Sequence, residues 1–132
     1  MTPPLFLSVQ DVLYIHDDTL AVDGGRGGVR DYGLLESAVL MPQQRFAGRY
    51  LHKDVPAMAA AYLYHLCQNH PFEDGNKRTA AMAAYVFLDV NGLDLASTPD
   101  DFEETVLSVA GGVLSKKDLT RWMRRHVRRR KA

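Results

Sequence analysis

The chain lacks most of the features that mark secreted or membrane-bound proteins. Its 132 residues include a single cysteine, Cys67, so no intrachain disulfide can form, and this suits a reducing compartment. No apolar run approaches the ~20 residues needed to span a bilayer. The N-terminus lacks the basic region and long apolar stretch of a signal peptide. We therefore expect a single cytoplasmic domain over residues 1–132, with no membrane partner.

Two common nucleotide-binding signatures are also missing. The chain has no Gly-x-x-x-x-Gly-Lys-Ser/Thr loop, which excludes a P-loop NTPase, and no kinase set of glycine-rich and catalytic loops. Cys67 and His70 have a spacing typical of metal ligands, but no second pair completes a four-ligand zinc site. A thiol nucleophile at Cys67 with His70 as its base is an alternative, although a buried helical cysteine is the simpler interpretation.

Acidic residues are absent from the C-terminal segment 121–132. This segment has seven basic residues, which leaves nine basic and sixteen acidic residues in 1–120. A basic tail of this kind could contact nucleic acid weakly. The simpler interpretation is a solvated helix end whose cations suit the C-terminal dipole. The seven residues are Arg121, Arg124, Arg125, Arg128, Arg129, Arg130 and Lys131.

Signals for helices, in contrast, are abundant. One further helix is expected to begin near Lys77 or Arg78, and its nearly uniform apolar composition predicts a central, buried helix. Residues 42–54 show no clear period, so they form a loop or a small β-hairpin. We predict an all-α, compact bundle of about six helices. Residues that can cap the other helices precede periodic apolar segments at Ser8, Asp31, Asp54, Thr98 and Ser115.

The segment 70–80, with the sequence HPFEDGNKRTA, carries most of the candidate chemistry. It lies where one predicted helix ends and the next begins, and a helix start favours bound anions. His70 can act as a general base at neutral pH, or it can make only a structural hydrogen bond. Asp74 can hold Mg²⁺, or it can cap the following helix.

Four residues after Asp74 complete a candidate phosphate site. Gly75 and Asn76 permit positive φ and close backbone approach, as an anion-binding nest requires. Lys77 and Arg78 place two cations at a helix start, where positive charge is unfavourable unless an anion is bound. This mismatch predicts a bound phosphate group.

The segment 70–78, His-Pro-Phe-x-Asp-Gly-Asn-Lys-Arg, resembles the signature of the Fic/Doc family, and its lysine form is similar to the Doc (death-on-curing) branch. Segments 24–38 and 87–92 also look Doc-like, so the resemblance covers most of residues 8–95. Most Fic proteins transfer AMP from ATP to a target hydroxyl, and their motif continues Asn-Gly-Arg-x-x-Arg. Here Lys77 replaces the glycine and Ala81 stands in place of the second arginine, two departures that Doc toxins share.

For Doc toxins, the resemblance implies a kinase that uses ATP and Mg²⁺ to phosphorylate a threonine of translation elongation factor Tu and so arrests translation. His70 would deprotonate the threonine, and Asp74 would help to hold Mg²⁺. The remaining roles implied are a phosphate cradle at Gly75 and Asn76, with charge neutralisation by Lys77 and Arg78.

The resemblance also implies partners. Residues 42–54 would form a flap that holds the target segment, with Arg45, Phe46 and Tyr50 as candidate contacts. The chain has no Ser/Thr-x-x-x-Glu-Gly/Asn inhibitory string, so control is expected from a separate antitoxin of the Phd type that folds into a groove of the toxin. Nucleic acid would be contacted only through that complex, or weakly by the basic tail. Two alternatives stay open: an AMP transferase, and a non-enzymatic binding module.

Overall fold

The computed structural model of the protein describes residues 3–130, which form six α-helices and two short antiparallel strand pairs. The predicted helical bundle is therefore confirmed. No helix in the described range is both long enough and apolar enough to cross a membrane. The elements are α1 (Val9–Asp23), α2 (Tyr32–Leu40), a 3-10 turn (Met41–Gln43), β1 (Arg45–Phe46), β2 (Arg49–Tyr50), α3 (Val55–Asn69), α4 (Asn76–Val90), β3 (Leu93–Leu95), α5 (Pro99–Ala110), α6 (Lys116–His126) and β4 (Val127–Arg129).

Five of the six helices begin at the capping residues that the sequence predicts. In each, the capping side chain accepts a hydrogen bond from a backbone N–H three residues later, which satisfies one of the free amides of the first turn. Helix α4 is the exception. It begins at Asn76, its N-cap is Gly75, and no side chain caps it. The five capping residues are Ser8, Asp31, Asp54, Thr98 and Ser115.

Helix α3 runs through the centre of the bundle, where it packs mainly against α4, α6 and α2. The alanines of α3 are buried, as are Ala80, Ala83 and Ala84 of α4, and their small side chains let the two helices approach closely. The expectation that α4 is buried all round is wrong in part. Met82 and Tyr85 are 42% and 50% exposed, because the side of α4 that faces α5 borders a groove.

The first strand pair, β1 with β2, confirms a hairpin within 42–54, with Arg45 opposite Tyr50 and Phe46 opposite Arg49. The second pair, β3 with β4, was not expected from the sequence. It places Arg128 opposite Asp94.

The interpretation of the basic tail as a helix end is wrong beyond His126. Strand β4 takes over there, and the Arg130 guanidinium forms ion pairs with Asp89 and Asp94. These acids lie more than thirty positions away in the sequence, so no local pattern indicates them. Lys131, the last basic residue of the tail, lies outside the described residues.

Candidate active site

The segment 70–80 joins the end of α3 to the start of α4. His70 follows Asn69, the last residue of α3, as the C-cap of that helix, and it is exposed. Its backbone has φ 50° and ψ 55°, the left-handed conformation that residues other than glycine rarely adopt. Such a conformation persists only where the surrounding structure supports it.

Arg30, from the loop between α1 and α2, supplies much of that support. Its Nε donates to the His70 carbonyl at 2.7 Å, and its Nη2 donates to the Asn69 carbonyl at 3.0 Å. The guanidinium therefore lies at the negative end of α3, where a cation is favourable. The backbone N–H groups of Arg30 and Asp31 also both donate to the Pro71 carbonyl, at 2.7 and 3.1 Å. Sequence reasoning missed Arg30, because no local pattern links it to a helix forty residues later.

Asp74 does not cap α4, so that interpretation is wrong. Its Oδ2 instead accepts a hydrogen bond from the backbone N–H of Arg26 at 2.8 Å. Its carbonyl oxygen lies 2.8 Å from Nε2 of His16, whose ring stacks on Phe72 with centroids 3.7 Å apart. His16 is only 3% exposed, and the sequence suggested nothing more than a place on the apolar face of α1.

Gly25 allows this close approach of the two loops. Its φ is +120°, and a Cβ at this position would lie 3.1 Å from the Leu20 side chain and 3.4 Å from Cβ of Asp74. The first of these distances is tighter than ordinary van der Waals contact. A glycine is therefore required here on both conformational and steric grounds.

The side chain of Asn76 is used within the loop. It is 5% exposed, its Oδ1 accepts from the Phe72 N–H, and its Nδ2 donates to the Phe72 carbonyl, both at 2.9 Å. This pair of bonds closes the loop around Phe72, which is fully buried. The part of Asn76 that remains a candidate for phosphate binding is thus its backbone N–H.

Lys77 and Arg78 are both exposed in the first turn of α4. Nη1 of Arg78 lies 3.3 Å from Oδ1 of Asp23, at the end of α1, whereas Lys77 has no acidic partner among residues 3–130. With Gly75 as the N-cap, α4 presents both cations beside first-turn amides that no side chain caps. This arrangement suits an anion with several charges.

A cavity of about 270 Å³ lies beside Asp74 and the start of α4. Its walls include Asp23, Gly25, Asp74, Gly75 and Arg78. The candidate carboxylate of Asp74 and two residues of the candidate phosphate cradle, Gly75 and Arg78, therefore line one space, whereas His70, Asn76 and Lys77 are not part of its lining.

The donor set fits a magnesium ion that takes most of its ligands from phosphate and water. Oδ1 of Asp74 accepts no hydrogen bond from residues 3–130, and within the same range no cluster of three or more His, Cys, Asp or Glu could hold a metal alone. Mg²⁺ typically binds through one or two carboxylates together with substrate phosphates. A site with the single carboxylate of Asp74 matches this coordination preference of Mg²⁺.

Cys67 is not the nucleophile of this site. The residue is buried, and desolvation raises the pKa of its thiol to about 12, against the opposing effect of the positive charge of Lys77. A thiol with this pKa stays protonated at neutral pH, and the thiolate is the reactive form. The interpretation as a buried helical cysteine is confirmed.

Beyond Lys77 and Arg78 lies a larger groove between α4 and α5, with a volume of about 810 Å³. Ala81, one turn after Lys77, lines it. The lining is mainly apolar and includes Met82, Tyr85, Phe102, Val106 and Leu107. The groove thus runs from the charged start of α4 along an apolar surface.

The flap candidates lie on the β1–β2 hairpin. Arg45 and Tyr50 interact with each other, through a 2.8 Å hydrogen bond from Nη2 to the phenol oxygen and a guanidinium 4.3 Å from the ring centroid. Phe46 is 75% exposed. No hydrogen bond or ion pair joins these three to the segment 70–80 within the described part of the chain.

Comparisons with known proteins find similar sequences. A family model described as "Fic/DOC family" matches residues 6–88. "Toxin Doc" of Mycolicibacterium smegmatis is 48% identical over 77 residues, which are 58% of this chain and 59% of that protein. "Protein kinase doc" of Escherichia phage P1 is 31% identical over 107 residues, which are 81% of this chain and 84% of that protein. The chain thus spans less than two thirds of the first of these relatives and most of the second.

Proposed function

The chain belongs to the Fic/Doc family, and on that premise we propose that it is a Doc-like toxin of a toxin–antitoxin system that phosphorylates a protein threonine with ATP. The proposed target is a threonine of translation elongation factor Tu, so that the result is arrest of translation. The observation that carries the proposal is the uncapped start of α4, where Lys77 and Arg78 follow His70 in the chain by seven and eight residues. The name of the phage relative, a protein kinase, supports the choice of reaction.

In the proposed reaction His70 accepts the hydroxyl proton of the threonine while its Oγ forms a bond to the γ-phosphorus. The bond between that phosphorus and the β–γ bridging oxygen breaks, and ADP leaves with the electron pair. The proton then passes from the imidazole to solvent. Because phosphoryl transfer depends mainly on positioning and charge stabilisation, a base and an anion cradle are a sufficient set of groups.

The cradle would act on the charge that develops during transfer. Lys77 and Arg78, together with the first-turn amides of α4, would bind the phosphate oxygens. Binding would also require Arg78 to share or leave its ion pair with Asp23. When bound, Mg²⁺ would neutralise phosphate charge, and Oδ1 of Asp74, which accepts no hydrogen bond from residues 3–130, would help to hold it.

Lys77 and Ala81 favour phosphorylation over AMP transfer. In the AMP-transferring pattern the position of Lys77 is a glycine, and a second arginine stands at the position of Ala81. In this protein Ala81 lines the groove with a single methyl group, so no cation stands there to hold a second phosphate. The positive charge is concentrated at Lys77 and Arg78, in the first turn of α4.

Control of the toxin is proposed to come from a Phd-type antitoxin. The groove between α4 and α5 suits an amphipathic segment of this partner, because Met82, Tyr85 and Leu107 leave apolar surface exposed along it. The second partner is the target protein. For an extended peptide of that target, the β1–β2 hairpin of this chain offers short strand edges and the exposed ring of Phe46.

The basic tail gives little support to direct binding of nucleic acid. Arg121, Arg124 and Arg130 form ion pairs with acidic residues, which offsets part of the positive charge. Arg125, Arg128 and Arg129 have no acidic partner among residues 3–130. The non-enzymatic alternative predicts that His70→Ala leaves toxicity in cells unchanged.

Two labels test the proposal. The purified protein is incubated with elongation factor Tu and with ATP labelled at either the α or the γ phosphate. We expect γ label on threonine, loss of labelling in His70→Gln, and normal labelling in the control Lys117→Gln, which alters an exposed lysine on α6. Transfer of the α label would instead establish an AMP transferase and overturn the kinase proposal.

A further inference from the structure

Helix α3 ends in an unusual way. Its last residue before the turn is followed by a left-handed histidine, where glycine is the common choice. The carbonyls of Asn69 and His70 accept their hydrogen bonds from the side chain of Arg30. The free carbonyls at a helix end ordinarily accept hydrogen bonds from nearby backbone N–H groups. Here they accept them from a side chain about forty positions earlier.

Arg30 holds the chain on both sides of His70. Its guanidinium binds the two carbonyls at residues 69 and 70, and its own backbone N–H donates to the Pro71 carbonyl at 2.7 Å. Three successive peptide groups are therefore bound by one residue. Because the first two of these peptide planes flank His70 and define its φ and ψ, they also define the direction in which its side chain leaves the backbone.

We propose that Arg30 is a positioning residue, which keeps His70 in its left-handed conformation and thereby aims the imidazole at the acceptor hydroxyl. The catalytic part of this inference rests on the proposed function, whereas the conformational part does not. A lysine can reproduce the effect only in part, because only a planar guanidinium presents two parallel N–H groups to two carbonyls.

The rest of the loop does not depend on the Arg30 side chain. Val29 and Phe72 form an antiparallel bridge, the Glu73 N–H donates to the Gly28 carbonyl at 3.0 Å, and Asn76 closes the loop around Phe72. All of these contacts can persist when Arg30 is replaced. Substitution should therefore disturb His70 locally and leave the phosphate cradle in place.

The first experiment separates positioning from nucleotide binding. With saturating ATP, Arg30→Gln is expected to lower kcat by roughly 10- to 100-fold, the range in which small displacements of a reacting group act. The KM for ATP should change by less than about twofold, since the cradle is intact. Arg30→Lys should fall between wild type and Arg30→Gln, and Arg121→Gln, an exposed arginine on α6, should behave as wild type. In a His70→Gln background, Arg30→Gln should add little. A large rise in KM with unchanged kcat would show that Arg30 contacts nucleotide, and would overturn the proposal.

The second experiment needs no activity. The backbone and Cβ chemical shifts of His70, and its ring signals, are compared by NMR in wild type, Arg30→Gln, Arg30→Lys and Arg121→Gln. We expect the His70 shifts to leave left-handed values in Arg30→Gln, in part in Arg30→Lys, and not at all in Arg121→Gln. Unchanged shifts in a folded Arg30→Gln would refute the positioning role, even if the wild type proved to have no kinase activity. A kinase-inactive wild type with the expected shifts would instead refute the proposed function alone.

Discussion

Replacing Asn76 by alanine separates a structural role from a phosphate-binding role at the same position. The side chain is 5% exposed and makes two 2.9 Å hydrogen bonds, to the N–H and the carbonyl of Phe72. Phe72 is itself fully buried, so its backbone groups have little access to water once Asn76 is gone. A buried polar group left unpaired costs about 1–3 kcal/mol.

We therefore expect Asn76→Ala to lower the free energy of unfolding by about 2–4 kcal/mol, since two such groups lose their partner. The better helix propensity of alanine offsets only about 0.5 kcal/mol of this. Domains of this size are typically stable by roughly 5–15 kcal/mol, so the variant should still fold. Its affinity for nucleotide should change little, because the backbone N–H at position 76 remains.

Lys77→Ala is the matched control on the next residue. Lys77 is exposed and has no acidic partner in the described range, so its loss should change stability by less than about 0.5 kcal/mol. Its affinity for ATP should fall about tenfold or more, as expected for a lost charged hydrogen bond.

Urea unfolding measures the free energy of unfolding of both variants, and its slope m should stay constant among them. Titration calorimetry measures their affinity for ATP. If Asn76→Ala had normal stability but bound ATP poorly, the side chain would be a phosphate ligand. The reasoning from its burial would then be refuted.

Three further predictions concern other parts of the site and fold. Gly25→Ala is expected to cost about 1–3 kcal/mol and to reduce transfer, because alanine is strained at φ +120° and its methyl group, 3.1 Å from the Leu20 side chain, would force that side chain to shift; normal stability would contradict this. Burial and the neighbouring Lys116 lower the pKa of His65 to about 4, so the folded protein resists protonation there and should lose stability as pH falls from 6.5 towards 4. In His65→Gln, denaturation at several pH values should show a free energy of unfolding that depends less steeply on pH, and an equal dependence would exclude His65 as the cause. Restoring the AMP-transferring pattern with Lys77→Gly and Ala81→Arg should move the transferred label from the γ to the α phosphate, and an unchanged γ label would show that these positions do not choose the reaction.

The helices were predictable because their signals are local. A capping side chain such as Asp54 acts on an N–H three residues away, and the apolar periodicity that follows is read within the same segment. For residues 42–54 the sequence allowed either a loop or a hairpin, because the only signal there was the lack of a helical period.

The site was predictable as a set of residues and not as a geometry. The sequence placed His70 and Asp74 beside two cations at a helix start, and the structure has all four within one loop and one turn of helix. It could not assign Asp74 to the Arg26 N–H or Asn76 to Phe72. A short polar side chain near a helix start has several possible partners, and the choice depends on which loop packs against it.

The sequence by itself determined the family, the helical architecture and the inventory of charges at the start of α4. These depend on the order of residues along short segments, where each group interacts with neighbours only a few positions away. Tertiary structure alone decided that Arg30 closes α3, that His16 supports Asp74, and that Arg130 joins the tail to Asp89 and Asp94. Each of these contacts spans more than thirty positions, and the packing of the helices brings the partners together.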